Sequence, residues 1–403
     1  MIPTLNPVIS NMDVYASKTI SQMAKSYPDI LNLSIGEPEF GPPEYLISEI
    51  GDNDLSLPNF FDSVKRYEQS RGSLDLRHSI ANWYERRYML NVDPEREIIV
   101  THGGVEAIAL AILCTTQTGD AVAITDPSYM LYERSVLTLG RVPMAIKRPI
   151  GGKEYLSAFE TLKELGNART IIINSPENPT GYMLDKAEWQ LISHLSERNG
   201  VWVIHDEVYD TMSFGREHTP ARAIDGLSER AILVNSFSKK FGTPGLRIGW
   251  LVANEKVIEV ASKVHDYLYL GVNILYERIA ERLLKDPRIE TWFASNALML
   301  KERADKAMSA LSSGCGYTWP RIPMGGMFLF PNVHQLYNKV QETYKSEQVS
   351  IGEIIASYLV HEKRVATVPG SVYGQEGAEH IRLVMCSSSN VFDEAIDRLA
   401  NAI

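Results

Sequence analysis

The sequence predicts an α/β fold: a large domain with a mostly parallel sheet covered by helices on both faces, joined to a smaller α+β domain. Between about residues 95 and 255, short apolar runs typical of buried strands alternate with helical segments, which implies crossover connections. From about residue 254 onward, long helical periodicity dominates and only short strand-like runs follow. With 403 residues, 44% of them hydrophobic, the chain is long enough to form both cores.

The predicted elements divide the chain into an N-terminal arm that is part of the smaller domain (1–45), a large domain (46–285) and a small C-terminal domain (286–403). The strands predicted for the large domain are 98–100, 121–124, 170–174, 202–206, 232–235 and 250–252. Helices are predicted at 274–284, 298–311 and 391–403, and short strands at 327–330 and 380–384.

The amino-acid composition argues against some classes of partner and location. The net charge of −10 is spread over mixed acidic and basic residues, which argues against a nucleic-acid partner. No run of eighteen apolar residues occurs, and the first seven residues have no basic region leading into an apolar run, so neither a membrane span nor a secretory signal is predicted. The three cysteines, Cys114, Cys315 and Cys386, are far apart and each is expected to be a small buried residue in a reducing cytoplasm.

A basic, glycine-containing loop follows the predicted strand 232–235. It contains Ser236, Ser238 and Lys239, with Arg247 eight positions after the lysine. A lysine amine can form an imine with an aldehyde, and the hydroxyl groups and the guanidinium can bind a phosphate, a combination that suits pyridoxal phosphate. Taken alone, such a loop is more often a solvated basic turn, so the rest of the site has to decide.

Two other predicted strands end in polar residues of the right chemistry. Asn178 lies in a Pro/Gly turn after strand 170–174, and Asp206 and Tyr209 follow strand 202–206. Because ligands of open α/β sheets bind at the carboxyl ends of strands, Asn178, Asp206 and Lys239 are expected to share one crevice. Each also has a structural interpretation, since asparagine and aspartate commonly stabilise turns.

Together these motifs resemble the class I/II aminotransferases, which are pyridoxal-phosphate enzymes of fold type I. The resemblance covers nearly the whole chain, although the turn Asn178-Pro179-Thr180-Gly181 is one residue tighter than the family pattern. It implies that Lys239 forms the Schiff base and moves the Cα proton, and that Asp206 keeps the pyridine nitrogen protonated. Tyr209 and Asn178 would hydrogen-bond the phenolic oxygen of the ring. The neighbouring Lys240 is expected to be a surface cation or to support the site from behind.

The resemblance also implies a phosphate cup. The backbone N–H groups of Gly103, Gly104 and Val105 open an alanine-rich helix, and free N–H groups at a helix start attract anions. A Gly-Gly pair alone indicates only a turn, but with the two serines and the arginine of the basic loop it completes an anion site. Tyr129 falls where the family stacks an aromatic ring on the cofactor, and a core tyrosine is the alternative.

Substrate contacts are implied for Arg382, Gly36 and Asn178. The guanidinium of Arg382 would bind the α-carboxylate in a bidentate manner, with the backbone of Gly36 on the same group; a structural ion pair is the alternative for the arginine. Tyr67 resembles the tyrosine that reaches the phosphate of the neighbouring subunit and so implies a homodimer with composite active sites, unless it is only a core contact. The segment 51–61 is expected to break a helix that is regular in the family.

The function expected from this resemblance is a pyridoxal-phosphate-dependent transaminase that moves an amino group between an L-amino acid and a 2-oxo acid. The alternative is a lyase or cyclase acting by β/γ-elimination or replacement, because the loop Gly242-Thr243-Pro244-Gly245 also resembles such enzymes and the cofactor site does not fix which bond breaks. A sensor protein without turnover is disfavoured, since the lysine is retained and the chain has no room for a DNA-binding segment. No second arginine can be assigned to a side-chain carboxylate.

Overall fold

A computed structural model describes residues 5–54, 61, 62, 64, 65, 67–148 and 168–403. Its strands are β1 (Leu31–Asn32), β2 (Ile98–Thr101), β3 (Ala121–Asp126), β4 (Val142–Lys147), β5 (Ala168–Asn174), β6 (Trp202–Asp206), β7 (Ala231–Ser236), β8 (Gly249–Val252), β9 (Phe328–Leu329), β10 (Val365–Ala366), β11 (Val368–Pro369) and β12 (Ile381–Val384). Seven of them form the central sheet in the order β2-β8-β7-β6-β5-β3-β4.

The central sheet is mostly parallel, as predicted. The neighbours from β4 to β7 pair in parallel, and only β8 runs antiparallel, both to β7 and to β2. All six predicted strands are confirmed, and with them the α/β class. The edge strand β4 was missed because Pro143 and the charged Lys147 interrupt its apolar pattern, and proline is tolerated in a strand at a sheet edge.

Helices cover both faces of this sheet. Successive residues of a strand point to opposite faces, so Ile171 and Ile173 pack into one apolar core and Ile172 into the other. The helices of the described residues are Pro7–Ser10, Ala16–Lys25, Glu44–Asp54, Leu74–Tyr88, Gly104–Thr115, Leu131–Thr138, Lys186–Asn199, Phe237–Lys240, Glu255–Leu268, Ile274–Lys285, Ile289–Ala310, His334–Lys339, Ile351–Tyr358 and Ser389–Ala400.

A third core lies in the C-terminal part, where β11, β12 and β9 form an antiparallel sheet. The N-terminal arm joins this part, because β1 pairs in parallel with β10. The helix Ile289–Ala310 begins earlier than predicted and links two cores, since Phe293 packs against the central sheet and Leu300 packs in the C-terminal core. The boundary at residue 285 therefore stays a prediction.

Two further expectations meet the structure here. The helix Glu44–Asp54 continues through the first part of the segment expected to break it, and residues 55–60 lie outside the described residues. Cys386 is buried as expected, whereas Cys114 and Cys315 are only half-buried. Across the described parts of the chain, every helix is too short or too polar to cross a lipid bilayer.

Candidate active site

One edge of the central sheet collects the predicted site residues. Strands β5, β6 and β7 are parallel, so their carboxyl ends meet at this edge. Because β8 is antiparallel to both β7 and β2, β2 runs in the same direction as β7 and its end reaches the same edge. The segments that follow β2, β5, β6 and β7 carry Gly103, Asn178, Tyr209 and Lys239, and the topology therefore gathers them around one crevice.

The helix Gly104–Thr115 offers free backbone donors at this edge. Gly103 precedes the helix with a left-handed φ of 79°, and no side chain caps the first turn, so the N–H groups of Gly104 and Val105 remain available to an anion. The left-handed φ favours glycine at this position, and a Cβ atom there would lie 2.6 Å from Nη2 of Arg247. A Cβ atom on Gly104 would lie 3.6 Å from Cβ of Ser236, so the basic loop packs directly against the helix start.

The basic loop adds side-chain donors to the same place. The hydroxyl oxygens of Ser236 and Ser238 are 2.9 Å apart, and Nη2 of Arg247 donates to the carbonyl oxygen of His102 at 3.0 Å. The structure therefore brings the predicted phosphate donors together: two glycines at a helix start, two hydroxyl groups and a guanidinium. This set of N–H and O–H donors is chemically suited to a phosphate dianion.

Lys239 extends into the crevice from the short helix Phe237–Lys240. Its Nζ atom donates to the carbonyl oxygen of Gly36 at 2.6 Å. Burial lowers the pKa of this amine below its usual value; the nearby Cys386 and Glu37 oppose this shift, and the positive charges of Arg382 and Arg247 add to it. A lowered pKa increases the share of neutral amine, which is the form that attacks an aldehyde.

Asp206 ends β6 and lies near Lys239. One carboxylate oxygen accepts a hydrogen bond from the hydroxyl group of Tyr132 at 2.6 Å, and the other accepts from the backbone of Val208 at 3.2 Å. Burial raises the pKa of Asp206 to about 6, while the Tyr132 hydrogen bond and the charge of Lys239 act in the opposite direction. A buried carboxylate of this kind suits a protonated ring nitrogen. Tyr132 was not predicted, although it stands one helical turn after Tyr129.

Arg382 lies in a buried, aromatic part of the crevice. Its guanidinium donates to the side chain of Asn178 at 3.3 Å and to the carbonyl oxygen of Ser34 at 2.5 Å. The rings of Phe328 and Tyr373 lie 4.6 Å and 5.1 Å from the guanidinium carbon. The guanidinium has five N–H donors, and its Nε atom is buried without a partner, so donors remain for a ligand such as a carboxylate.

Tyr209 and Tyr129 lie in the same crevice. Burial raises the pKa of Tyr209 well above its usual value, and the charge of Arg382 and a hydrogen bond to Asn178 partly offset this increase. The hydroxyl oxygen of Tyr129 lies 2.5 Å from that of Tyr15. Tyr15 belongs to the N-terminal arm and had no motif that could reveal it, because its contact with Tyr129 spans 114 positions of sequence.

Two predictions had left alternatives open. Tyr67 is 82% exposed, so it is not a core contact, and this chain does not bring its side chain into its own crevice. Lys240 lies behind the site rather than at the surface: its side chain is fully buried and its Nζ atom lies 2.7 Å from a carboxylate oxygen of Asp210. The environment behind the loop is apolar, and an ammonium can be buried there only when it is paired.

The residues present fit pyridoxal phosphate. The glycine cradle and the loop donors suit its phosphate, and the desolvated amine of Lys239 suits its aldehyde. Asp206 suits the ring nitrogen, and Asn178 and Tyr209 suit the phenolic oxygen. When bound, the cofactor would supply an electron sink for negative charge that develops at the substrate Cα.

Comparisons with known proteins identify the family of the chain. Residues 28–399 match the family model described as aminotransferase class I and II. The chain is 26% identical over 389 residues to the aromatic-amino-acid aminotransferase 2 of Thermococcus litoralis, covering 96% of this chain and 95% of that protein. It is 27% identical over 390 residues to the aspartate aminotransferase of Pyrococcus horikoshii, covering 96% and 94%. The solved N-succinyldiaminopimelate aminotransferase from Mycobacterium tuberculosis superposes with a TM-score of 0.86 at 25% identity, covering 99% of this chain and 100% of that one.

Proposed function

This chain belongs to the class I and II aminotransferase family, and from that premise we propose how its own residues move an amino group between an L-amino acid and a 2-oxo acid. Pyridoxal phosphate is the cofactor of this family. We assign its binding to the crevice at the carboxyl edge of the central sheet. The observation that carries the assignment is the amine of Lys239, which donates to the carbonyl oxygen of Gly36 and has a lowered pKa, with Asp206 and Arg382 close enough for their charges to act on it.

The protein groups first hold and orient the cofactor. The N–H groups of Gly104 and Val105, together with the hydroxyl and guanidinium groups of the basic loop, bind the phosphate. The N–H of Gly103, predicted to do the same, already donates to the carbonyl oxygen of Thr101 at 2.8 Å, so Gly103 contributes only its backbone conformation. Asp206 keeps the ring nitrogen protonated, and the hydrogen bond from Tyr132 keeps its carboxylate in place. In this proposal Tyr129 packs on the face of the ring, a position that its contact with Tyr15 would fix.

The substrate is held at the opposite end of the crevice. Arg382, with its unpaired Nε, binds the α-carboxylate, and Asn178 and the backbone of Gly36 contact the same region. Fixing the carboxylate orients the Cα–H bond for deprotonation. Lys239, in its neutral form, would then take the proton from Cα and pass it to the cofactor carbon that keeps the amino group.

A half-reaction experiment tests this proposal against elimination or cyclisation. Holoenzyme is mixed with single amino acids in the absence of a 2-oxo acid, and both the cofactor form and the products are measured. We expect the pyridoxamine form to accumulate in proportion to enzyme, with one equivalent of 2-oxo acid. Continuous release of ammonia with an unsaturated or cyclic product, and no pyridoxamine form, would instead support a lyase or cyclase.

Replacing Asp206 with asparagine is expected to lower turnover by about a hundredfold or more while most of the cofactor stays bound. Asparagine keeps the shape of the side chain but cannot stabilise a protonated ring nitrogen. Turnover and cofactor content are measured on the same preparation, with the exposed Asp225→Asn as the matched control. Equal losses of turnover and cofactor would contradict the role given to Asp206.

We also propose that two copies of this chain form a homodimer with composite active sites. An exposed apolar patch, defined as Tyr67, Tyr267, Leu268 and Leu270, supports the proposal; its two segments are close, since a Cβ atom on Gly271 would lie 3.6 Å from the carbonyl oxygen of Glu68. The patch borders the phosphate cup, because the ring of the intervening Tyr269 lies 5.1 Å from that of His102, whose carbonyl oxygen accepts a hydrogen bond from Arg247. An exposed apolar surface of this kind is typical of an interface. A cytoplasmic location is proposed as well, supported by three cysteines without disulfide bonds.

Complementation between two variants tests the composite site. Tyr67→Ala is expected to weaken cofactor binding about tenfold, as the loss of a hydrogen bond to a charged group would. A Tyr67→Ala chain and a Lys239→Ala chain, refolded together, would form one site with both the lysine and the tyrosine intact. We expect activity at limiting cofactor to exceed that of either variant alone. No gain on mixing would contradict the shared site, and the exposed Tyr27→Ala serves as control.

A further inference from the structure

A buried ion pair lies behind the loops that carry the proposed catalytic groups. Nζ of Lys240 is 2.7 Å from Oδ1 of Asp210, and neither side chain is exposed to solvent. The same ammonium donates to Oδ1 of Asn235 at 2.6 Å and faces the indole rings of Trp83 and Trp250 at 4.5 Å and 5.1 Å. The position of the ammonium is therefore constrained from several directions.

The carboxylate partner is constrained as well. Oδ2 of Asp210 accepts a hydrogen bond from the hydroxyl group of Tyr88 at 2.6 Å, while Oδ1 faces the ammonium of Lys240. Tyr88 ends the helix Leu74–Tyr88, which packs in the core of the central sheet. Both ends of the ion pair are thereby attached to rigid elements.

The location of this pair in the chain gives it significance. Lys240 directly follows Lys239, and Asp210 directly follows Tyr209. One buried contact therefore connects the two backbone segments from which the lysine and the phenol enter the crevice. Glu207, the residue after Asp206, is also linked to the ion pair through Asn235, because Nδ2 of Asn235 donates to Glu207 at 3.3 Å.

Stability alone is a weak explanation for such a pair. Removing two charges from water costs free energy that their attraction only partly recovers, and well-packed apolar residues are often at least as stabilising. Metal binding is also a poor explanation for the neighbouring cluster of His205, Glu207 and His218. Both ring nitrogens of His205 are already used, one by the carbonyl oxygen of Ser175 and the other by the N–H of Ala221.

We propose that Lys240 is a positioning residue, which through its ion pair with Asp210 fixes Lys239 relative to Tyr209. The inference rests on the proposed function, because it needs Lys239 and Tyr209 to act on the same cofactor. Lys240 takes no part in the chemistry itself. Its effect follows from geometry, since a displacement of about 1 Å of a reacting group lowers a rate by about a hundredfold.

The first test is Lys240→Met, which removes the charge but keeps a long side chain. We expect kcat to fall about tenfold to a hundredfold, with KM for the amino acid changed less than about threefold. A second readout does not depend on turnover: the rate at which Lys239 of the apoprotein captures added pyridoxal phosphate, followed by the visible absorption band, should fall by a similar factor. Unchanged kcat and capture rate would overturn the inference.

A double variant separates positioning from stability. Lys240→Met leaves Asp210 buried without its cation, so its Tm should fall or the chain should fail to fold. Lys240→Met/Asp210→Asn leaves neither residue charged, and asparagine can still bond with Tyr88, so we expect Tm to recover. The rates should not recover, because the directional contact between the two segments is still absent. Recovery of kcat and capture rate together with Tm would assign the pair a structural role only.

A control ion pair lies at the opposite edge of the sheet. Arg222 donates to Glu97, which stands just before β2, far from the carboxyl edge. Arg222→Met should lower Tm with kcat and the capture rate unchanged, and an equal fall in kcat would overturn the inference. If the wild-type protein neither captures pyridoxal phosphate nor transaminates, the proposed function fails. If the wild type is active and the Lys240 variants keep its kcat and capture rate, the positioning role is rejected and the proposed function is not.

Discussion

Replacing Lys239 with alanine is expected to abolish the visible absorption band of lysine-bound cofactor and to lower turnover by at least about a thousandfold. The band requires a covalent link to an amine, and alanine has none. Alanine also removes the proposed acceptor of the Cα proton, which is the amine of Lys239 with its lowered pKa. Absorption spectra measure the band, single-turnover rates measure the loss of activity, and circular dichroism of the purified variant checks that it is folded.

The adjacent lysine provides a sharp internal check on this result. Lys240 is fully buried and paired with Asp210, so it should not replace the missing amine. A persistent visible band in Lys239→Ala would assign the link to Lys240 and contradict both the site and the positioning role. The exposed Lys256→Ala is the matched control and should retain the band and full turnover.

The second large effect is expected at Arg382. Arg382→Ala should raise KM for amino acids by about a hundredfold or more, because a buried, charge-assisted contact with the substrate carboxylate is lost. Cofactor content should change little, since the phosphate and ring contacts lie elsewhere. Arg382→Lys keeps the charge without the planar fork, so its KM should fall between those of the other two proteins. Binding is measured by spectral titration with each amino acid.

A substrate without a carboxylate shows whether the effect is specific. A primary amine of similar size should react slowly with the wild type and equally slowly with Arg382→Ala. The amine has no carboxylate for the guanidinium to bind, so removing the guanidinium should not affect its reaction. Unchanged affinity for amino acids in Arg382→Ala would contradict the role of the residue. The arginine would then be explained by its contacts with Asn178 and Ser34 alone.

The sequence predicted the part of the fold that depends on local pattern. Short apolar runs marked the strands that end at Asn174, Asp206 and Ser236, and the crevice formed by the polar residues after them followed from the topology. The edge strand β4 lacked such a run. Lys239 and Arg382 were identified because short motifs around them resemble those of a known family.

Contacts between segments that are distant in the chain could not be predicted from local sequence pattern. Tyr15 meets Tyr129 across 114 positions, and Tyr132 meets Asp206 across 74. Lysine is a residue type that is usually exposed, and the burial of Lys240 is explained by its contacts with Trp83, Trp250 and Asp210 in the folded chain. Side chains that support a site from behind depend on packing, for which a single sequence has no periodic signal.

The N-terminal arm is held to the crevice by two of its carbonyl oxygens. The oxygen of Gly36 accepts a hydrogen bond from the free amine of Lys239, and the oxygen of Ser34 accepts one from Arg382. If Lys239 holds the cofactor covalently, its nitrogen would keep at most one hydrogen to donate. The hydrogen bond to Gly36 would then weaken, and with it a contact between the N-terminal arm and the basic loop.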